Sequence, residues 1–181
     1  MQFVEQYKDQ LIQWIELNNY KQIYNSFTDG YTTKSVNEHI TGHEHVMLII
    51  ETTNGFVFGS YNGKRIPLKT EAKIIPTGYF VECDEDYFLF SLKNPTNKAP
   101  LLWNSHTHSK SLSIHPDQPR DHCIIGTVCG YWLYEDRAFI SDWFHSNYQT
   151  LDGLLPDNKI FTGNCYPQTF QVKQLIGLEW F

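Results

Sequence analysis

Eight histidines are the first residues to weigh, because imidazole is both a metal ligand and a proton carrier near neutral pH. Two pairs alternate: His43 and His45 flank Glu44, and His106 and His108 flank Thr107. Alternate residues on a strand share a face, so either pair supplies two ligands to one side. A first-row metal needs three or four converging ligands, however, and neither an HExxH motif nor a Cys/His cluster accompanies the pairs. The expectation is solvent-exposed or hydrogen-bonded histidines, with no metal site and no cofactor.

Nucleophile chemistry fares no better. His122 and Cys123 are neighbours, but adjacent strand residues point to opposite faces, so they do not form a dyad. Cys123 lies in an apolar run and reads as an inert core thiol. Cys83, beside Asp84, is the cysteine expected nearest solvent, and its acidic neighbours raise a thiol pKa and so work against reactivity. There is no GxSxG elbow, no GxxxxGK[ST] loop and no GxGxxG. Glu82, Asp84, Glu85 and Asp86 form an acidic run that reads as a solvated turn. Glu179 sits between Leu178 and Trp180 in an apolar strand, where it is either buried and paired or, by simple alternation, in solvent; alternation is the default. Trp103, Trp132 and Trp143, if exposed, would suit a carbohydrate. No catalytic residue is assigned.

The elements that must position these groups centre on Glu44 to Tyr61, EHVMLIIETTNGFVFGSY. Val46 to Ile50 is too short for a buried helix, and Asn54-Gly55 suits a two-residue type I′ turn. That turn would set Thr52 against Val57, Glu51 against Phe58, Ile50 against Gly59 and Leu48 against Tyr61. Both faces of this hairpin are largely apolar, which implies a second sheet on one side and a helix on the other. Gly59, in mid-strand, marks a bulge or a close approach.

Around it, Phe3 to Leu17 carries Val4, Tyr7, Leu11, Trp14 and Ile15 at helical spacing, so it reads as an amphipathic helix packed on its own domain. Tyr20 to Tyr24 is a connector or strand, Asp29-Gly30 a turn, and Thr32 the cap of a helix from Thr33 to His39. Strands are expected at Ile74-Ile75, Tyr79 to Glu82, Tyr87 to Leu92, Leu101 to Trp103, Leu112 to Ile114, Cys123 to Val128, Tyr131 to Tyr134 and Ala138 to Ser141. Two further segments, Thr169 to Lys173 and Leu175 to Phe181, complete the set, and 142–159 has no regular pattern. In the strand at Tyr87, Phe88 and Phe90 share one face while Tyr87 and Leu89 share the other. Strands separated by turns give a mostly β (α+β) chain: a two-sheet antiparallel β-sandwich flanked by two or more short helices, with a closed barrel as the alternative.

Bulk properties narrow the function. At 181 residues, with 15% aromatic and 19% charged residues, the chain is expected to form a single well-packed domain spanning 1–181. A net charge of −6 with no basic stripe argues against nucleic acid. No segment reads as a signal peptide or a membrane span, and the scattered cysteines Cys83, Cys123, Cys129 and Cys165 read as reduced thiols.

Five pieces, in order, resemble the TLDc domain. They are Ile23-Tyr24 followed by Asp29-Gly30-Tyr31-Thr32; the turn and strand Thr53-Asn54-Gly55-Phe56-Val57-Phe58-Gly59; Phe88-Leu89-Phe90-Ser91-Leu92; Phe170-Gln171-Val172; and Leu178-Glu179-Trp180. The residues carrying the resemblance are Tyr24, Asp29, Gly30, Gly55, Phe58, Gly59, Phe88, Phe90, Phe170, Glu179 and Trp180. The chain departs from the family pattern near 149–164, which keeps only Phe161 and Gly163-Asn164, and in the segment 106–120. The resemblance implies a β-sandwich with flanking helices and a non-enzymatic intracellular interaction domain. It further implies a role in oxidative-stress resistance, a protein partner among the subunits of the vacuolar-type proton ATPase, and a cytoplasmic location peripheral to acidic organelles. Two other readings stand beside it: an enzyme, hydrolytic or peroxide-consuming, and a ligand-binding β-sandwich.

Overall fold

The computed structural model describes residues 2–71 and 78–181. The chain opens with α1 (Gln2–Ile15), β1 (Tyr20–Asn25), α2 (Ser26–Asp29) and α3 (Thr33–Ile40). The hairpin β2 (Val46–Thr52) and β3 (Val57–Asn62) follows, then β4 (Tyr79–Glu82), β5 (Phe88–Lys93), β6 (Leu101–Ser105) and β7 (Lys110–Ile114). β8 (Cys123–Thr127), β9 (Tyr131–Tyr134), β10 (Ala138–Ile140), α4 (Phe144–Asn147), β11 (Tyr148–Gln149) and β12 (Val172–Trp180) complete it. The expected strand at Ile74-Ile75 lies outside the described residues.

The strands form two antiparallel sheets, one of seven strands in the order β1-β12-β2-β3-β5-β6-β11 and one of five in the order β10-β9-β8-β7-β4. This is the expected sandwich. Leu48, Ile50, Phe58 and Leu89 from the large sheet meet Leu112, Ile125, Tyr131 and Leu133 from the small one in the inter-sheet core. The other face of the large sheet carries Met47, Ile49, Val57, Tyr61, Phe88, Phe90, Ile176, Leu178 and Trp180, and α1 covers it with Val4 and Leu11. Removing apolar area from water on both faces is what holds these strands, at about 1.5–3 kcal/mol for each fully buried large aliphatic or aromatic side chain. Two polar pairs sit in this core: Ser60 Oγ lies 2.8 Å from the Tyr131 hydroxyl, and the hydroxyls of Tyr87 and Tyr148 are 3.1 Å apart, whereas the buried Ser91 Oγ has no partner among the described residues.

The turn at Asn54-Gly55 is real, but the loop is one residue longer than expected. Gly55 N–H donates to Thr52 O at 2.9 Å and Thr52 N–H to Phe56 O at 3.0 Å, with Gly55 at φ +78°. This is the three-residue hairpin loop in which a turn is followed by a left-handed residue. The register therefore shifts by one: Leu48 faces Ser60, Ile49 faces Gly59, Ile50 faces Phe58 and Glu51 faces Val57. Phe58 thus shares the inter-sheet face with Leu48 and Ile50, while Val57 and Tyr61, which the expected register sets on the face of Leu48 and Ile50, go to the helix side.

The local signals for helices hold. Thr32 Oγ1 accepts the Ser35 N–H at 3.2 Å, capping α3, whose Thr33 hydroxyl donates to Cys123 O at 2.9 Å and ties the helix to the small sheet. The two segments expected near the carboxyl end are one strand, β12, which pairs with β1 on one side and β2 on the other. At its end Glu179 does not follow simple alternation into solvent. It faces Lys21 across the ladder and is ion-paired, with Lys21 Nζ at 2.6 Å and His43 Nδ1 at 3.0 Å, its side chain only 16% exposed. Asp84 is likewise corrected. It is not a solvated turn residue but is buried, accepting from Asn62 Nδ2 at 3.1 Å and from Lys64 N–H at 3.3 Å, and burial raises its pKa.

Two predictions follow from these contacts. A Cβ on Gly59 would stand 1.9 Å from Leu48 O and 2.8 Å from Phe90 Cζ, so Gly59→Val must displace backbone. We expect a loss of about 3 kcal/mol or more, read as a shifted urea midpoint or an insoluble product; an unchanged midpoint would remove the close-approach argument. For Glu179, burial raises the pKa, but Lys21 and His43 outweigh burial and lower it overall from the usual 4.5. The charged form is thus favoured in the fold: its contribution is present above that usual value and lost as pH falls through the folded value. Glu179→Gln should lower the melting temperature at pH 7, and the gap to the wild type should narrow by pH 3.5.

Candidate functional site

The groove that best suits recognition opens where α1 ends. Glu16, at φ +58°, turns the chain out of the helix, and its N–H still donates to Ile12 O at 2.8 Å. Beneath the last turn a row of rings is in contact: His45 stacks on Tyr61 at 6.4 Å, Tyr61 meets Phe88 at 5.3 Å, and Trp14 meets Phe88 at 6.1 Å and Phe90 at 5.9 Å. His45 Nδ1 lies 2.9 Å from the Tyr61 hydroxyl. Leu102 and Asn104 on β6, together with Leu151, close the far side of a groove of about 430 Å³.

The rim is negative. Glu16, Glu85 and Asp86 line the groove, and among the described residues no lysine or arginine lines its wall. Among the described residues none of the three takes part in an ion pair. In the wall, burial first, and then the carboxylates of Asp86, Asp84 and Glu44, push the Tyr61 phenol well above the usual value. Beyond the groove the turn at Thr150 to Leu154 is held by Thr150 N–H donating to Leu154 O at 3.0 Å and by Gly153 at φ +79°. It puts Leu151, Leu154 and Leu155 into solvent at 78%, 64% and 66% exposure, an unusual cost for a surface unless something covers it.

The groups weighed for catalysis do not meet. His43 is engaged with Glu179 and His45 with Tyr61, while Cys123 is fully buried with its thiol donating to Leu133 O at 3.6 Å and its pKa pushed far up by burial. Cys83 is exposed in a left-handed turn. Among the described residues no three His, Cys, Asp or Glu side chains are grouped to hold a metal. The tryptophans are also dispersed. Trp103 is in the core against Phe144 and Phe161, Trp132 lies across Gly126 on the outer face of the small sheet, and Trp143 is 65% exposed before α4. They do not make one platform, although Trp132 with Phe80, His115, Tyr134 and Phe139 lines a second cavity of about 360 Å³.

The residues carrying the family resemblance are distributed through the scaffold. Tyr24 donates its hydroxyl to Gly30 O at 2.8 Å, and Asp29 Oδ2 accepts the Asn25 N–H at 2.7 Å, so Tyr24, Asp29 and Gly30 fix the corner after β1. Gly55 makes the hairpin turn and Gly59 the close approach to Leu48. Phe58 packs on Phe161 at 5.0 Å and on Phe170 at 5.6 Å, and Phe170 exchanges backbone hydrogen bonds with Ala138 of β10. Phe90 and Trp180 lie under α1, Trp180 against Tyr20 at 5.0 Å, and Glu179 holds its ion pair. Of the eleven only Phe88 touches the groove. Sequence reasoning missed the groove itself. Its one signal was the acidic run at Glu85-Asp86 directly before an aromatic strand.

Comparison with known proteins agrees with this architecture. No curated protein matches the chain. The family model described as TLDc domain matches residues 2–174, thus from α1 into β12, ending before Glu179 and Trp180. With the match spanning nearly all of the 181 residues, the chain belongs to the TLDc domain family.

Proposed function

We propose that this chain is a non-enzymatic TLDc-type interaction and regulatory domain whose docking face is the acidic-rimmed groove. The observation that carries the reading is that groove: an aromatic and aliphatic floor, carboxylates around it that form no ion pair among the described residues, and exposed leucines beside it. The dispersal of the cysteines and histidines supports a binding role over a catalytic one. Family membership extends the proposal to a partner class. By resemblance to other TLDc proteins, the partner is a subunit of the vacuolar-type proton ATPase, the setting is oxidative-stress resistance, and the place is the cytoplasmic surface of acidic organelles. No helix among the described residues is long and apolar enough to cross a membrane, in keeping with a peripheral partner.

Two measurements test it. Affinity capture from lysate with the wild type should recover proton ATPase subunits, and Glu85→Lys/Asp86→Lys should recover several-fold less; equal recovery of none by both removes the assigned partner. For the catalytic alternative, peroxide consumption by the wild type and by Cys83→Ser should both equal the protein-free rate. A rate above that background that disappears in Cys83→Ser would replace the binding reading with an enzymatic one.

A further inference from the structure

The groove also specifies what kind of segment fills it, granting that the protein is an interaction domain. We infer that it receives a basic amphipathic helix from a partner chain. The apolar side of that helix lies on Trp14, Phe88, Leu102 and Leu151, and its lysines or arginines reach Glu16, Glu85 and Asp86.

Space comes first. α1 covers the outer face of the large sheet from β1, where Glu5 accepts from the Tyr20 hydroxyl, to β5, where Trp14 packs on Phe88 and Phe90. The sheet continues past β5 to β6 and β11, and on β6 Leu102 and Asn104 are only half-buried. Strands stand about 4.8 Å apart, so two more strands add about 10 Å of sheet, the width of one helix. A helix laid there would continue the layer that α1 begins.

Chemistry fixes the sign. An apolar segment alone would cover the floor but would also desolvate the rim carboxylates, leaving charge out of water without a partner. Cations at the edges of the segment remove that penalty and add charge-assisted hydrogen bonds. The same carboxylates disfavour nucleic acid and anionic lipid surfaces. They also disfavour a second copy of this chain, because the exposed leucine turn that would be its apolar anchor carries Asp152 and no cation.

The test uses the whole protein and a fluorescein-labelled peptide of about 18 residues built from leucine and lysine, with leucines at three- and four-residue spacing. Fluorescence anisotropy should show saturable binding that weakens as salt is raised. Glu85→Lys/Asp86→Lys should weaken it at least about tenfold, whereas Glu135→Lys/Asp136→Lys, the same charge change on the exposed β9–β10 turn, should leave it within about twofold. Leu151→Ser, at a side chain too exposed to matter for folding, should weaken it by several-fold. A peptide with glutamate for lysine, and one with the leucines scattered, should not bind. The inference is overturned by equal weakening in the two charge reversals, by equal binding of either control peptide, or by self-association in sedimentation that Glu85→Lys/Asp86→Lys abolishes. The two readings fail separately. Capture of ATPase subunits that is unchanged by Glu85→Lys/Asp86→Lys leaves the interaction domain standing without this groove. Groove-specific peptide binding with no ATPase captured leaves the groove standing without that partner.

Discussion

The fold depends on one pairing: β12 lies between β1 and β2. Through it residues from opposite ends of the domain become neighbours, Tyr20 beside Trp180 and Ile49 beside Ile176. Such a ladder brings together segments far apart in the chain, so its loop-closure cost is met only when the whole sheet is assembled. Side chains reinforce the seam. Gln174 Nε2 donates to Asn25 Oδ1 at 2.9 Å, Leu175 N–H donates to Ser26 Oγ at 3.0 Å, and Glu179 takes Lys21 and His43. Gly177 leaves room for Tyr24, whose hydroxyl donates to Gly30 O and fixes the end of α2. The ion pair at Glu179 and the family corner at Tyr24 are thus two ends of one constraint, and α1 rests on the face that this constraint creates.

Much of this was legible because local chemistry and burial pointed the same way. The stripe Val4, Leu11 and Trp14 could only be a helix with one apolar side, and the Thr32 cap needs no tertiary contact to be read. Register was a different matter. In a strand with one wet face, alternation fixes which residues point inward; β2 is buried on both faces, so a slip of one residue exchanges Val57 for Phe58 without breaking the pattern. An Asn-Gly pair fits both a two-residue and a three-residue loop, and the hydrogen bond from Thr52 to Phe56 decides for the longer one. The four-residue helices α2 and α4 left no periodicity to detect, since one turn is shorter than the window in which a helical stripe can repeat.

The two misread carboxylates share a cause. Asp84 and Glu179 were assigned from their sequence neighbours, an acidic run and an alternating strand, but their environments are made by distant residues: Asn62 and Lys64 for one, Lys21 and His43 for the other. A lone charge is the residue whose fate local pattern settles least, because burial becomes tolerable as soon as a partner is supplied from elsewhere. The groove was hidden for the same reason. Its wall draws on the end of α1, on His45 and Tyr61, on the turn before β5, on β6 and on Leu151, and no two of these are close in sequence except within a turn. Trp14 and Phe88 read as core, Glu85 and Asp86 as solvent, and each reading is correct alone; only the fold sets the two kinds side by side.

That juxtaposition also explains how such a groove discriminates. Its carboxylates cost little while water covers them, so the unoccupied protein tolerates them next to Trp14 and Leu102. The cost appears on binding. Any segment that fits the apolar floor must displace that water, and one without cations leaves Glu16, Glu85 and Asp86 partly desolvated and unpaired. A segment with cations but no apolar stripe keeps the carboxylates satisfied yet leaves the aromatic floor wet, forgoing the area term that gives an interface most of its affinity. Each half of the groove therefore rejects what the other half alone would accept. Selectivity for a basic amphipathic partner arises from these two penalties acting together, with no single residue required to read a sequence.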